Sequence, residues 1–292
     1  RVRVEAASCW LRAQRLRGKG AALPWESRMI LDRFRLTDKV AIVTGASAGI
    51  GRGSALALAD AGAHVVCAAR TADTLERVAE EVRQRGRRAL AVPCDVNRAE
   101  QVEEVVARAA EEFGRIDIVV NNAGGTGPTA ALDLNVRDFE AAFHFNVTSA
   151  FLLSRLAAPH MVKAGGGAVV NISSALSHFV ETGFVAYGTA KAALSHMTRL
   201  LAYEWAPQIR VNALAVGATE TDALSPFLNA AEGLREQMVA MTPMARLGTP
   251  EDIACAVLYL TSPAAGWVTG KVFEVDGGTI ASNWPFKMPT GL

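Results

Sequence analysis

Residues 40–51 read Val40-Ala41-Ile42-Val43-Thr44-Gly45-Ala46-Ser47-Ala48-Gly49-Ile50-Gly51. A short apolar run rich in β-branched residues, closed by a glycine-punctuated turn, describes a buried strand. Helical periodicity then takes over near Ile50. The glycines let the main chain approach a pyrophosphate, and the helix N-terminus offers unpaired N–H groups and a favourable dipole to its charge. A glycine cluster alone also suits a tight turn. The strand before it and the helix after it select the nucleotide reading, with Gly45, Ser47, Gly49, Ile50 and Gly51 as the expected contacts.

Beyond this unit the same alternation continues. Strands are predicted at Val40–Thr44, His64–Ala69, Ala89–Pro93, Ile116–Asn121, Ala168–Ser173, Ile209–Ala215 and Lys271–Val275. Helices are predicted near Ile50–Ala61, Asp73–Arg85, Arg98–Phe113, Val136–Met161, Tyr187–Trp205 and Pro250–Leu260. Strand and helix in turn give an α/β, Rossmann-type doubly wound sheet of seven mainly parallel strands, in a single domain spanning 29–282. The long connection 217–248 lacks strand character and is expected to be a substrate lid.

The second strand ends Ala69-Arg70. An acid near this point would accept hydrogen bonds from a ribose 2′-OH, whereas an arginine accommodates a 2′-phosphate. Arg70 therefore favours NADP(H) over NAD(H). Farther on, Tyr187 and Lys191 stand four apart on a predicted helix, so the ammonium can lie near the phenol and favour its ionised form. A free tyrosine titrates near about pH 10 and needs such help to exchange protons at neutral pH. Ser174, at the end of the fifth predicted strand, is placed to hydrogen-bond a substrate carbonyl.

These residues come in company: Thr44-Gly45-x-x-x-Gly49-x-Gly51, Asp95-Val96, Asn121-Asn122-Ala123-Gly124, Asn146, Ser174, Tyr187-x-x-x-Lys191, and Arg210-Val211-Asn212 followed by Gly217. Over Leu36–Gly278 the chain resembles the short-chain dehydrogenase/reductases, in particular their 3-oxoacyl reductase and hydroxysteroid dehydrogenase-like members. The resemblance implies that Asn146, Ser174, Tyr187 and Lys191 are catalytic, with Asn146 holding a water for proton relay through Lys191. It further implies that Asp95 and Val96 contact adenine, that Asn122, Ala123 and Gly124 line the adenosine side, that Lys191 binds the nicotinamide ribose, and that Gly217, Thr219 and Thr221 meet the carboxamide and phosphates. Two positions depart from the family pattern. Val216 stands where a proline usually precedes Gly217, and Ala48 stands at a loop position often basic in NADP-preferring members.

The stretch 175–186 and the connection 217–248 are expected to wall a mostly apolar substrate pocket through Phe179, Val180, Phe184, Leu224, Phe227, Leu228 and Met238. That suits a steroid, an acyl thioester or a terpenoid ketone. His178 reads as a surface or packing residue. Surplus apolar faces at Phe143, Phe151, Leu152, Leu194 and Leu200 point to subunit packing. The resemblance makes the expected assembly a homotetramer, with a dimer as the smaller alternative.

Residues 1–28 carry seven Lys/Arg against two Glu, a charge of +5, so the other residues carry −4 of the net +1. An acidic body offers no broad surface for nucleic acid. The basic stretch is expected to lie outside the domain, as a sequence upstream of a start at Met29 or as a transit peptide. Four scattered cysteines (Cys9, Cys67, Cys94, Cys255) predict a reduced, cytoplasmic protein, mitochondrial if residues 1–28 are a transit peptide. No membrane-length apolar run and no metal-ligand spacing are read. The tail 283–292, with Trp284 and Phe286 between prolines, suits docking on a neighbouring surface as well as disorder.

The leading expectation is an NADP(H)-dependent oxidoreductase acting on the carbonyl or secondary alcohol of a small apolar substrate, with Tyr187 as acid/base. The alternatives are a nucleotide-binding regulator or scaffold without turnover, and an enoyl-thioester reductase.

Overall fold

The computed structural model describes residues 29–229 and 232–288. The basic stretch 1–28 and the last four residues of the tail lie outside the described residues. A short 3-10 turn at Ile30–Phe34 precedes the α/β body.

Seven strands form one parallel sheet: β1 (Val40–Thr44), β2 (His64–Ala69), β3 (Ala89–Pro93), β4 (Ile118–Asn121), β5 (Gly167–Ile172), β6 (Ile209–Val216) and β7 (Val272–Val275). Their order is β3-β2-β1-β4-β5-β6-β7. The helices are α1 (Gly49–Asp60), α2 (Ala72–Gln84), α3 (Ala99–Phe113), α4 (Val136–Phe143), α5 (Ser149–Lys163), α6 (Val185–Trp205), α7 (Ser225–Leu228), α8 (Leu234–Ala240) and α9 (Pro250–Thr261). The doubly wound parallel sheet expected from the sequence is thus the observed one. Every ladder is parallel, because both faces are covered: β1 and β2 side chains enter one apolar layer under α1, α2 and α9 and a second under α3, α5 and α6.

The fourth strand begins at Ile118, two residues later than predicted, and other expectations differ more. The single helix expected over Val136–Met161 is interrupted by a π-turn at His144–Thr148. The connection 217–248 holds two short helices, α7 and α8. Leu194, expected on an outward face, is 2% exposed and packs with Val147 and Ala150, whereas Phe143, Phe151 and Leu200 do face outward.

Strand order reverses at β1 and β4, and in such sheets the crevice beyond the strand carboxyl ends receives ligands. At the opposite end of this strand pair, Asp117 fastens it. Asp117 is 3% exposed, accepts from the Val40 N–H at 3.0 Å, and pairs with Arg115 at 2.7 Å and Lys39 at 2.9 Å. Burial pushes its carboxyl up, but the Arg115 guanidinium, the Val40 N–H and the Lys39 ammonium outweigh that and hold it below the usual carboxylate range. Its stabilising contribution is therefore complete above the unfolded carboxylate value and lost as pH falls through the depressed folded one. Lys39 and Arg115 are 40% and 38% exposed and can turn to water when the carboxylate is removed. Asp117→Ala is therefore expected to cost about 2 kcal/mol, less than a fully buried pair would, and to lower Tm by about 4–8 °C. Calorimetry at pH 7 checks this, and the deficit should shrink in acid.

Candidate active site

The crevice above β1 and β4 is a cleft of about 640 Å3. Its floor is the turn from β1 into α1. Gly45 and Gly49 have φ of 63° and 51°, where a side chain is strained, and a Cβ at Gly51 would sit 2.1 Å from the Gly45 carbonyl oxygen. Only glycine closes this turn. Ala48, at the α1 N-cap, has no side chain able to cap, and the first turn carries no acid, so the leading N–H groups are left to an external acceptor. By contrast, Thr249 and Asp252 give α9 a complete capping box. A pyrophosphate suits the α1 terminus by charge and by the close approach the glycines allow.

The Asn121–Gly124 stretch is braced from below. Thr44 Oγ1 accepts from the N–H groups of Asn122 and Ala123 at 3.0 and 3.1 Å, and Asn122 Nδ2 donates to the Thr44 and Gly45 carbonyls at 2.9 and 3.2 Å. Asn121 Nδ2 donates to Asn171 Oδ1 at 2.8 Å, and Asn171 Nδ2 donates to Thr198 Oγ1 on α6 at 2.9 Å. Ser173 Oγ, buried, lies 2.7 Å from Ser195 Oγ and donates to the Lys191 carbonyl at 3.1 Å. Strand ends and α6 are thereby locked together by satisfied polar groups, which fixes where Tyr187 and Lys191 stand. Ser173 is consumed in this fastening. Ser173 and Ser174 both line the cleft, but the Ser174 Oγ is outside this fastening and accepts from the Leu176 N–H at 3.2 Å.

Tyr187 also lines the cleft. Burial raises its phenol above the ordinary tyrosine value, and the hydrogen-bonding Ser174 hydroxyl opposes that rise. Lys191 is 3% exposed, and burial lowers its ammonium to about 8. Its Nζ lies 5.6 Å from the Tyr187 ring centroid and donates to the Ile172 carbonyl at 2.8 Å. The sequence reading placed the ammonium beside the phenol. In the structure it lies near the ring and is tied to main chain.

Asn146 sits in the π-turn, an interruption often found at functional sites. Its Oδ1 accepts from the Gly125 N–H at 2.9 Å, and Nδ2 donates to the Ala142 and Gly125 carbonyls at 2.8 and 3.3 Å. Both amide hydrogens are spent on main chain. Gly124 lies between Asn146 and Lys191: a Cβ there would stand 2.7 Å from Asn146 Oδ1 and 2.9 Å from Lys191 Nζ.

Of the other expected residues, Gly45, Ser47, Gly49, Ile50, Arg70, Asp95, Val96, Asn122, Ala123, Gly124, Gly217, Thr219 and Thr221 line the cleft, while Gly51 and Asn146 stand one layer behind. Thr221 arches over the floor, its methyl 3.1 Å from where a Gly49 Cβ would be. Arg70, at the end of β2, is exposed and has no ion-pair partner among the described residues. Val216 continues β6 opposite Val275, and the next N–H, of Gly217, donates to the Val275 carbonyl at 3.0 Å.

The apolar walls are partly those expected. Phe184, Leu224 and Phe227 line the cleft, Leu228 and Met238 form a small core beneath it, and Val180 points outward at 90% exposure. His178 packs on Phe179 with Nε2 3.7 Å from Glu274, as a surface residue. Trp284 also lines the cleft. Sequence reasoning did not place it there, although an aromatic residue in a proline-flanked tail was the available signal. Among the described residues no cluster could hold a metal ion, and no helix is long and apolar enough to cross a membrane.

Comparison with known proteins agrees with this architecture. A family model described as Enoyl-(Acyl carrier protein) reductase matches residues 45–279. The chain is 48% identical to an uncharacterized oxidoreductase of Mycobacterium tuberculosis, over 89% of this chain and 99% of that protein. It is 42% identical to the 7alpha-hydroxysteroid dehydrogenase of Escherichia coli, over 85% and 97%. A solved 7alpha-hydroxysteroid dehydrogenase, complexed with NADH and 7-oxo glycochenodeoxycholic acid, superposes with a TM-score of 0.83 at 41% identity, over 87% of this chain and 98% of that one.

Proposed function

The chain belongs to the short-chain dehydrogenase/reductase family and is a nicotinamide-dependent oxidoreductase, and we propose that it interconverts the carbonyl and secondary alcohol of a small apolar substrate with NADP(H), using Tyr187 as acid/base. The observation that carries this reading is that Ser174, Tyr187 and Lys191 open onto the same cleft as the Gly45–Ile50 turn and Arg70. When bound, the dinucleotide supplies or accepts the hydride.

The side chains do the rest. The α1 N-terminus, the glycine turn and Thr221 would hold the pyrophosphate. Asp95 and Val96 would hold the adenine, and Lys191 would bind the ribose hydroxyls with the N–H hydrogens not given to Ile172. Ser174 donates to the substrate carbonyl oxygen and orients it, and the Tyr187 phenol gives that oxygen its proton as the alcohol forms. Phe184, Leu224 and Phe227 keep water from the reacting carbon, and Gly124 leaves the room that Asn146 and Lys191 occupy.

Arg70 supports the choice of NADP(H): its guanidinium at the end of β2 has no ion-pair partner among the described residues and is available to a 2′-phosphate, and the strand ends in Ala69-Arg70 with no acid to receive a ribose hydroxyl. A charge-assisted bond at an exposed site is worth about 1.5 kcal/mol, so Arg70→Ala should weaken NADPH about tenfold and leave NADH unchanged. Fluorescence titration with both dinucleotides checks it, and an unaltered preference would remove the assignment.

The reading as a whole is tested by following NADPH and NADH oxidation across steroid ketones, 3-oxoacyl thioesters and small ketones. Loss of conjugated double-bond absorbance with the carbonyl retained would make the protein an enoyl reductase instead. Absence of all turnover would favour a binding role.

A further inference from the structure

Residues 283–288 join the two walls of the cleft at its substrate end. On the lid side, Asn283 Nδ2 donates to Thr242 Oγ1 at 3.0 Å. On the wall before α6, Lys287 Nζ donates to the two Glu181 carboxylate oxygens at 2.8 and 2.7 Å, and the Met288 N–H donates to Thr182 Oγ1 at 2.8 Å. Between these pins Trp284 meets Phe184 from one wall and Phe227 from the other, ring centroids 5.4 and 5.5 Å apart and both steeply inclined. Phe286 packs on Trp284 from behind at 5.8 Å.

The seat for this segment is built into the wall. Gly183 has φ of 84°, and a Cβ there would lie 2.6 Å from Met288 Cγ. The Glu181 side chain is 0% exposed, while Lys287 is 71% exposed. Burial raises the Glu181 carboxyl, but Lys287, the Thr182 N–H and Ser282 together bring it below its ordinary value. Against these contacts stands one unfavourable feature: Trp284 Nε1 is buried with no acceptor among the described residues. Releasing the segment would return that donor to water, so the closed position depends on its pins. The segment also lies beyond the family match, which ends at residue 279.

We propose that residues 283–288 are a clasp that closes over the substrate, with Trp284 positioning the substrate's apolar body, and that the clasp fits the site to an untethered carbonyl compound rather than to an acyl chain carried on a protein. The proposal rests on the oxidoreductase reading above. A tethered chain needs a continuous path out of the cleft to its carrier, and a segment joining the two walls narrows the opening for one, whereas a free compound can be enclosed by it.

Lys287→Ala opens the clasp without altering a cleft-lining group, and Trp284→Ala removes the aromatic wall. Hydrogen exchange on the full-length proteins, without substrate, should show residues 181–184 and 225–228 exchanging faster in both variants than in the wild type. Equal exchange would overturn the clasp whether or not the protein turns over. With an alicyclic ketone and saturating dinucleotide, Trp284→Ala should raise KM about tenfold with kcat and dinucleotide affinity held. The wild type should prefer a 3-oxoacyl N-acetylcysteamine thioester to the same chain on acyl carrier protein, and Lys287→Ala should narrow that preference. An unchanged KM, or a wild type that prefers the carrier-bound chain, would overturn the proposal. A wild type inert toward every compound would instead defeat the oxidoreductase reading, and the exchange result would then decide the clasp by itself.

Discussion

Tyr187→Phe is expected to lower kcat by about 10³-fold or more while the dinucleotide binds as before, because the change deletes the proton donor and keeps the ring that packs beside Phe184. The magnitude follows from what the site would lose. Ser174 can still orient the carbonyl, but its hydroxyl is too weak an acid to protonate a forming alkoxide at neutral pH. The environment of the phenol adds a direction with pH. Burial holds Tyr187 above the ordinary tyrosine value, so at neutral pH it stands protonated, ready as an acid for ketone reduction. Alcohol oxidation needs the ionised form and should therefore accelerate with rising pH in the wild type, with no such rise in Tyr187→Phe. Steady-state rates in both directions between pH 6 and about 10 read this out. Substantial turnover by the variant would remove Tyr187 from the chemistry.

The sheet was legible because its inner strands are buried on both faces and so appear as unbroken apolar runs, and the partly buried edge strand β3 is still an apolar run. Val40–Thr44, His64–Ala69 and Ala89–Pro93 are found where the sequence places them. The π-turn was not legible, since one extra residue in a long apolar helix leaves the spacing of Phe143, Val147 and Ala150 close to helical. Helices as short as α7 and α8 carry too few turns to establish a period. The candidate site was legible where one stretch of chain supplies both a motif and its context, as at Gly45–Gly51. It was illegible where the meaning depends on distant partners. Nothing in Trp284-Pro285-Phe286 announces Phe184 and Phe227 as neighbours, and from sequence the tail suits docking on a neighbouring surface as well as disorder. Likewise nothing in the sequence around Asn146 shows that its amide hydrogens are committed to Ala142 and Gly125.

Lys191→Met should abolish activity and make the unliganded protein more stable. Lys191 is buried with one acceptor among the described residues, the Ile172 carbonyl, and burial alone brings its ammonium from 10.5 down to about 8. Keeping the charge there at neutral pH costs about 3 kcal/mol relative to the unfolded chain. Methionine fills similar volume without charge, and the Ile172 carbonyl loses a charge-assisted bond worth about 1.5 kcal/mol, so a net gain of about 1.5 kcal/mol and about 3–6 °C in Tm is expected. The pH dependence separates this cause from better packing. Between about 8 and 10.5 the unfolded wild-type chain binds a proton that the folded chain does not, so wild-type stability rises with pH through that window. The advantage of Lys191→Met should accordingly be full below pH 8 and fade toward pH 10.5. An advantage constant across that window would mean that packing, not charge, was relieved. A destabilised variant would mean that the Ile172 bond outweighs the buried charge. If the gain and its fading are both seen, the site holds a cation at a cost to the fold, and that cost is explicable when the charge is needed beside Tyr187.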